Sequence, residues 1–318
     1  MDLHQLEYIL AIEQEKSISR AAERLFLTQP ALNQQLLRLE KELGVPLFER
    51  RNRTMIPTYA GKIYLDTAKE MLSMKKETYK IIHDIAEERR GEISIAYTPE
   101  AGSRMFSKIY PVFHQKYPDI TFEIHEARVK EMERLILQKV VDFACNSYYE
   151  RSVHPDLEYI NMDSEYMVLG VPSSHPLAHL AEEKSWETLP EIDLSLFRDN
   201  SFILLGKETR MRDMIDLCFS NAGFSPKVLF ESISTATVIS MVKSQIAPAF
   251  FPQSYVRPSE DIVYFTVPPR LRWMRSISFL KGSYLTKPEK YFIALATDYV
   301  RGQLDKSLGL QNTISSIF

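Results

Sequence analysis

Gln29, Asn33 and Gln34 place three carboxamides within six residues of a stretch, TQPALNQQLLRLEKEL, whose leucines recur at 32, 36, 39 and 43. Spacings of 4, 3 and 4 turn those leucines to one side of a helix and the amides, with Pro30, to the other. A carboxamide offers a donor beside an acceptor, so an exposed Asn or Gln can form paired hydrogen bonds with a base edge, adenine above all. Thr28 stands at the head of the stretch, where a hydroxyl caps the helix and can donate to a phosphate. Arg50, Arg51 and Arg53 then supply three guanidinium groups in four residues, the charge that a contact with the DNA backbone or minor groove needs. On spacing alone, a polar helix face is also what plain solvated surface looks like.

These groups need a frame. Leu3, Leu6, Ile9 and Leu10 give a first amphipathic helix ending near Glu15 and Lys16, and Ser17 or Ser19 caps a short second one that buries Ala21, Ala22 and Leu25. Phe26 and Leu27 make a tight connection. The third helix runs from Gln29 to Leu43 with Pro30 in its first turn and Gly44 as its stop. Two short extended stretches around the basic turn follow, as a wing. Helix, tight turn and polar-faced helix form a helix-turn-helix, whose second helix can enter the major groove.

Thr58 caps a long helix reaching to about Glu88, with Leu65, Ala68, Leu72, Tyr79, Ile82 and Ala86 on a heptad-like seam that Lys75 interrupts. At 1.5 Å per residue it measures roughly 45 Å, too long for a small head to cover. It pairs with a second chain or lies on the following domain. From Gly91 onward, strands (EISIAY, ITFEIHE, VVDFACN, EYMVLGV) alternate with helices at Ser103–Tyr117 and Lys130–Lys139; a second series follows with SFILL, Thr209–Ala222, KVLFES, Thr235–Lys243 and PAFF. Such alternation implies parallel sheets with crossover helices. Further strands near 157–170 and 262–281, and a last helix from Pro288 to about Lys306, take the chain into a second lobe and back.

The run SISRAAERLFLTQPALNQQLLRLEKELGVPLFERRNRTMIPTYAG, Ser17 to Gly61, resembles the DNA-binding signature of the LysR-type transcriptional regulators, and the later order of segments is similar to the C-terminus. The resemblance implies a multidomain chain. An all-α winged helix-turn-helix (1–58) and a linker helix that pairs dimers (59–90) come first. A two-lobed α/β effector domain like the periplasmic binding proteins follows, lobe I being 91–161 with 268–318 and lobe II 162–267. It further implies binding to an interrupted palindrome on double-stranded DNA, assembly as a homodimer or homotetramer, recruitment of RNA polymerase, and a cytoplasmic location. Carried over by position, the DNA contacts fall on Thr28, Gln29, Pro30, Asn33, Gln34, Arg50 and Arg53. Relatives often carry a basic residue where Gln34 stands and a polar or basic one where Leu37 stands, so the wing here must carry more of the salt-dependent binding.

The resemblance also places a small-molecule effector between the lobes, at strand ends and helix starts. Its candidate residues are Thr98, Pro99, Glu100, Ser103, Arg128, Asn146, Phe202, Gly206, Thr209, Gln245 and Ile246. A helix starting at Ser103 would turn free amides toward an anion. Arg128, where many relatives have a small hydroxyl residue, reads as a carboxylate or phosphate clamp or as the partner of Glu100 or Glu126. With Glu100 nearby, an amino acid suits the site as well as a carboxylate does. Val242–Pro252 lacks the Gly-x-Gly turn usual in relatives and has side chains at Gln245, Ile246 and Ala247 instead.

Other chemistry is poorly supplied. Net charge is -3, with 15 basic against 14 acidic residues in the first ninety and 24 against 28 afterwards, so any nucleic-acid contact is local. There is no GxSxG, HExxH, Walker loop or GxGxxG, hence no cofactor and no enzyme class to assign. His175 and His179 sit four apart among prolines without a third ligand. Cys145 and Cys218 read as buried thiols, with a redox pair as the alternative. No apolar run reaches the roughly 18 residues of a spanning helix, and the first residues lack a basic signal-peptide region.

Overall fold

Asp2 opens the first helix with a capping box: its carboxylate accepts from His4 N, and Gln5 reaches back to the Asp2 amide at 3.2 Å. In the computed structural model, which describes residues 2–52, 54–86, 90–149, 152–181 and 189–302, contacts divide the chain into two units, Met1–Glu88 and Arg89–Phe318.

The first unit comprises α1 (Leu3–Glu15), α2 (Ile18–Arg24), α3 (Gln29–Leu43), the hairpin β1 (Phe48–Arg51) and β2 (Thr54–Pro57), and α4 (Tyr59–Ile85). Ser17, Thr28 and Thr58 cap α2, α3 and α4 in turn, and Phe26 takes the left-handed backbone at φ 55° that the turn between α2 and α3 requires. One core joins Leu6, Ile9 and Ile12 to Ala21, Ala22, Leu32, Leu36, Leu39, Leu47 and Phe48. Leu65 and Ala68 of α4 belong to that same core. The expected seam therefore divides: its first half closes the head, while Tyr79 and Ile82 stay more than half exposed. Lys75 does not simply interrupt it; with Lys69 it lies along α1, 3.5 Å from Glu7 and 3.7 Å from Glu13 respectively.

The second unit begins with β3 (Arg90–Tyr97), α5 (Ala101–Lys116), β4 (Asp119–Glu126), α6 (Val129–Leu137) and β5 (Phe143–Tyr148). β6 (Leu157–Pro172) follows, then β7 (Ser201–Leu205), α7 (Arg210–Asn221), β8 (Lys227–Ser232), α8 (Thr235–Lys243), β9 (Ala249–Pro252), β10 (Ile262–Phe265), β11 (Arg272–Leu280) and α9 (Lys287–Val300). The strand order is β4-β3-β5-β11-β6-β9-β7-β8, with β10 also on β6. β3 pairs in parallel with β4 and β5, as does β7 with β8 and β9, whereas β6 and β11 run antiparallel to their neighbours. The two long antiparallel strands carry the chain from one lobe into the other and back. β6 changes partners from β11 to β9 between Tyr166 and Met167.

Alternation on β3 sends Ile93, Ile95 and Tyr97 into a core under α5 and α9, and Ala96 into a second core under α6, so helices cover both faces of the first lobe's sheet. The second lobe has its own core, with α7 and α8 on it. Two helix ends differ from expectation. α5 starts at Ala101 rather than Ser103, because Gly102 lets the first turn press on Tyr97, where a Cβ would come within 2.4 Å of that side chain. α9 ends at Val300, short of Lys306, with Arg301 N–H closing back on Thr297.

Candidate nucleic-acid interface and inter-lobe site

On α3, Leu32, Leu36 and Leu39 are buried while Thr28, Gln29, Pro30 and Gln34 are exposed and Asn33 is half-buried. The hydrophobic effect alone orients the amide row outward. Ser19, at the start of α2, donates to Gln29 Oε1 at 3.0 Å, which leaves the Gln29 NH₂ group as the outward donor. Arg38 is exposed one turn beyond Gln34 and adds a positive charge to the helix there. The hairpin is fastened to the same helix by Glu40, whose Oε1 accepts from Leu47 N at 2.7 Å and Phe48 N at 3.1 Å. Arg50 is exposed, whereas Arg51 is held by Glu49 at 2.8 Å, which offsets its charge. Asn52 takes φ 47° in the turn; Arg53 lies outside the described residues.

Among the described residues of the second unit, polar side chains join the lobes at several places. Arg210, the first residue of α7, projects into the first lobe with its side chain only 9% exposed: it donates to Ser147 O at 2.9 Å, Ser152 Oγ at 3.1 Å and Glu133 Oε1 at 2.7 Å. Glu100, which flanks α5, accepts from Ser234 Oγ at 2.6 Å and from Tyr255 OH at 3.4 Å. Arg128 and Glu208 approach to 3.6 Å, both well exposed. The Arg104 guanidinium lies 4.4 Å over the Tyr255 ring. Burial pushes the Tyr255 phenol above its ordinary range, and the neighbouring Glu100 carboxylate adds to the rise while Arg104 opposes it.

These connections gather part of the predicted effector set. Thr98, Pro99 and Glu100 form the turn into α5; Ser103, in its first turn, donates to Glu126 at 2.8 Å. Arg128 is thus the partner of Glu208 rather than of Glu100 or Glu126. Thr209 caps α7 and donates to Gly206 O at 2.8 Å, which sets the direction in which Arg210 leaves the lobe.

Four expected residues are placed elsewhere. Asn146 is buried and fully engaged with β11, donating to Ser278 at 2.7 Å and accepting from Ser276 at 3.1 Å. Phe202 is fully buried in the second lobe's core, edge-on to Phe219. Gln245 occupies a left-handed turn at the far end of α8 from Ser234, roughly 14 Å along the helix at 1.5 Å per residue. Its amide ties down Ser174 N, Lys243 O and Asp261 O. Ile246 is exposed at that same end. For Asn146, Phe202 and Gln245 a local tertiary demand takes the side chain that the resemblance had offered to a ligand. Conversely, Arg104, Glu133, Arg210, Ser234 and Tyr255 were missed. Ser234 was legible as a cap before Thr235; the others pair with residues 58 to 155 positions away, beyond any local pattern.

A separate surface recess of about 240 Å³ lies within the second unit, lined by residues including Glu191, Asp193, Asn221 and Pro268, and holds none of the expected ligand residues. His175 is likewise no metal ligand by geometry: Nε2 meets the Asn200 amide at 2.8 Å, Nδ1 accepts from Leu177 N, and the ring stacks on Phe197. His179 Nδ1 is 2.7 Å from Pro176 O. Cys145 and Cys218 are buried in the cores of different lobes, and burial pushes their thiols up to about 12 and about 11. Such thiols are poor nucleophiles, and the placement runs against the redox pair. Among the described residues, no helix is long and apolar enough to cross a membrane.

Comparison with known proteins agrees with this architecture. Residues 3–62 match the model of the bacterial regulatory helix-turn-helix proteins of the lysR family, and residues 86–301 match the LysR substrate binding domain. Among curated relatives, the HTH-type transcriptional regulator BsdA of Bacillus subtilis (strain 168) is 27% identical over 309 residues, covering 93% of this chain and all of that one. The uncharacterized HTH-type transcriptional regulator YybE of the same strain is 26% identical over 295 residues, 92% of this chain and 97% of that one. Full-length OxyR of Pseudomonas aeruginosa shares the fold with a TM-score of 0.68 at 23% identity over 95% of both chains. Full-length CbnR, solved in complex with its target DNA, gives 0.60 at 22% over 95% of this chain and all of that one. With both domain models in series along its length, the chain belongs to the LysR family of DNA-binding transcriptional regulators.

Proposed function

We propose that this regulator reads an operator with Thr28, Gln29, Pro30, Asn33 and Gln34 in the major groove and Arg50 and Arg53 on the backbone or minor groove. The observation that carries this is the sorting of α3 into a buried leucine face and an exposed amide face, with the wing fixed to the same helix by Glu40. Two chains pair through α4, whose Ile63, Met74, Tyr79 and Ile82 are each more than half exposed. Paired heads then meet half-sites about 34 Å apart. A homotetramer of two such dimers bends the promoter and recruits RNA polymerase in the cytoplasm.

The same reading divides the chain at 58 and 90 and puts a small carboxylate or amino acid between the lobes, at the turn of Thr98–Glu100, Ser103, Arg128, Gly206 and Thr209. A ligand that prefers one lobe arrangement shifts the population of DNA-bound states. The test is a gel shift on the DNA upstream of the gene at several salt concentrations. Gln29→Ala is expected to cost about 1–3 kcal/mol at the operator and little on random DNA. Arg50→Ala should weaken both and lower the salt slope by about 1. Retention that neither salt nor either substitution changes refutes it.

A further inference from the structure

Glu100 stands where a helix cap belongs and does not cap. Its backbone is already helical and its side chain makes no bond to the first turn of α5. The carboxylate instead crosses to the second lobe, where Ser234 Oγ donates to one oxygen at 2.6 Å and Tyr255 OH approaches the other at 3.4 Å. Both donors are held for it. Ser234 caps α8, accepting from Thr237 N at 3.2 Å, so its own proton is left to point outward. Tyr255 is fixed from the first lobe by Arg104 over its ring. The neighbouring groups have other partners: Ser103 donates to Glu126, Arg128 lies by Glu208, and Arg210 pairs with Glu133.

We propose that Glu100 is an internal ligand of the inter-lobe site. Its carboxylate takes the two hydroxyl donors that a small carboxylate would otherwise use, and so holds the lobes together when no effector is bound. A tethered group competes at the high effective concentration of an intramolecular partner, so an anionic effector acts by displacing Glu100 and releasing this connection. The inference rests on the inter-lobe region being the ligand site, and it gives that site its regulation.

The test is thermal unfolding of the full chain titrated with sodium acetate at constant ionic strength, sodium chloride making up the balance. The wild type should show no saturable response. Glu100→Ala should melt roughly 3–8 °C lower, from the lost charge-assisted bonds, and acetate should restore part of that loss saturably. Adding Ser234→Ala should abolish the rescue. If Glu100→Ala does not fold, Glu100→Gln serves: Ser234→Ala should lower the melting temperature clearly in the wild type and much less in the Glu100→Gln background, where a neutral amide is the weaker acceptor. Equal acetate responses in wild type and Glu100→Ala, or equal effects of Ser234→Ala in both backgrounds, overturn the proposal. Neither readout uses DNA. A protein that responds to no effector in promoter assays yet shows the acetate rescue would refute the effector reading and leave the Glu100 contact standing.

Discussion

Arg210 is the perturbation with the clearest magnitude. Its guanidinium and the Glu133 carboxylate are 9% and 15% exposed and meet at 2.7 Å, with two further bonds from the same guanidinium to Ser147 O and Ser152 Oγ. Arg210→Ala removes all three bonds and leaves Glu133 without a cation in a largely desolvated position. Breaking one side of a buried pair costs about 3–5 kcal/mol. For a unit of this size each kcal/mol moves the transition by about 2–4 °C, so scanning calorimetry of the full chain should show the effector domain melting roughly 6–20 °C lower. The double variant Arg210→Met with Glu133→Leu removes both charges together and should be less destabilised than the sum of its parts by more than about 1 kcal/mol. If the two changes add to within about 0.5 kcal/mol, or Arg210→Ala costs less than about 1 kcal/mol, the guanidinium is not the fastening described, and the lobes are held by something else.

Gly61→Ala should unfold or detach the wing, since a Cβ there would lie 1.9 Å from the Leu47 carbonyl oxygen; a cost of roughly 2 kcal/mol or more is expected in urea, and unchanged stability would be incompatible with that contact. Glu40→Ala should cost about 1.5–3 kcal/mol through the loss of bonds to the Leu47 and Phe48 amides, with Glu40→Gln largely restoring both stability and operator affinity. Cys145 and Cys218 should resist a thiol reagent at pH 8 until denaturant is added. Because their folded values, about 12 and about 11, lie above the unfolded value near 8.5, their contribution is complete below that pH. It is lost as pH rises toward the folded values, so urea midpoints should fall in the alkaline range and fall less in Cys145→Ala. Midpoints that rise there would show the sign to be wrong.

Periodicity was enough to place α1 to α4 and the alternating elements of the second unit, because leucine spacing and cap residues act within one or two turns of chain. Thr28, Thr58 and Ser234 each announce a helix by local hydrogen bonding, and the outward row Gln29–Gln34 follows from where Leu32, Leu36 and Leu39 must go. The residues joining the lobes follow no such rule. Glu100 meets Ser234 and Tyr255 across 134 and 155 positions, and Arg210 meets Glu133 across 77. Asn146 and Gln245 show the converse: amides suited to a ligand were claimed by Ser276 and Ser278 in one case and by the Ser174 and Asp261 backbone in the other. Short-range backbone and burial preferences are written along the chain, whereas the partner of a charged or amide side chain is whichever group the folded sheet brings within about 3 Å, and only the tertiary structure decides that.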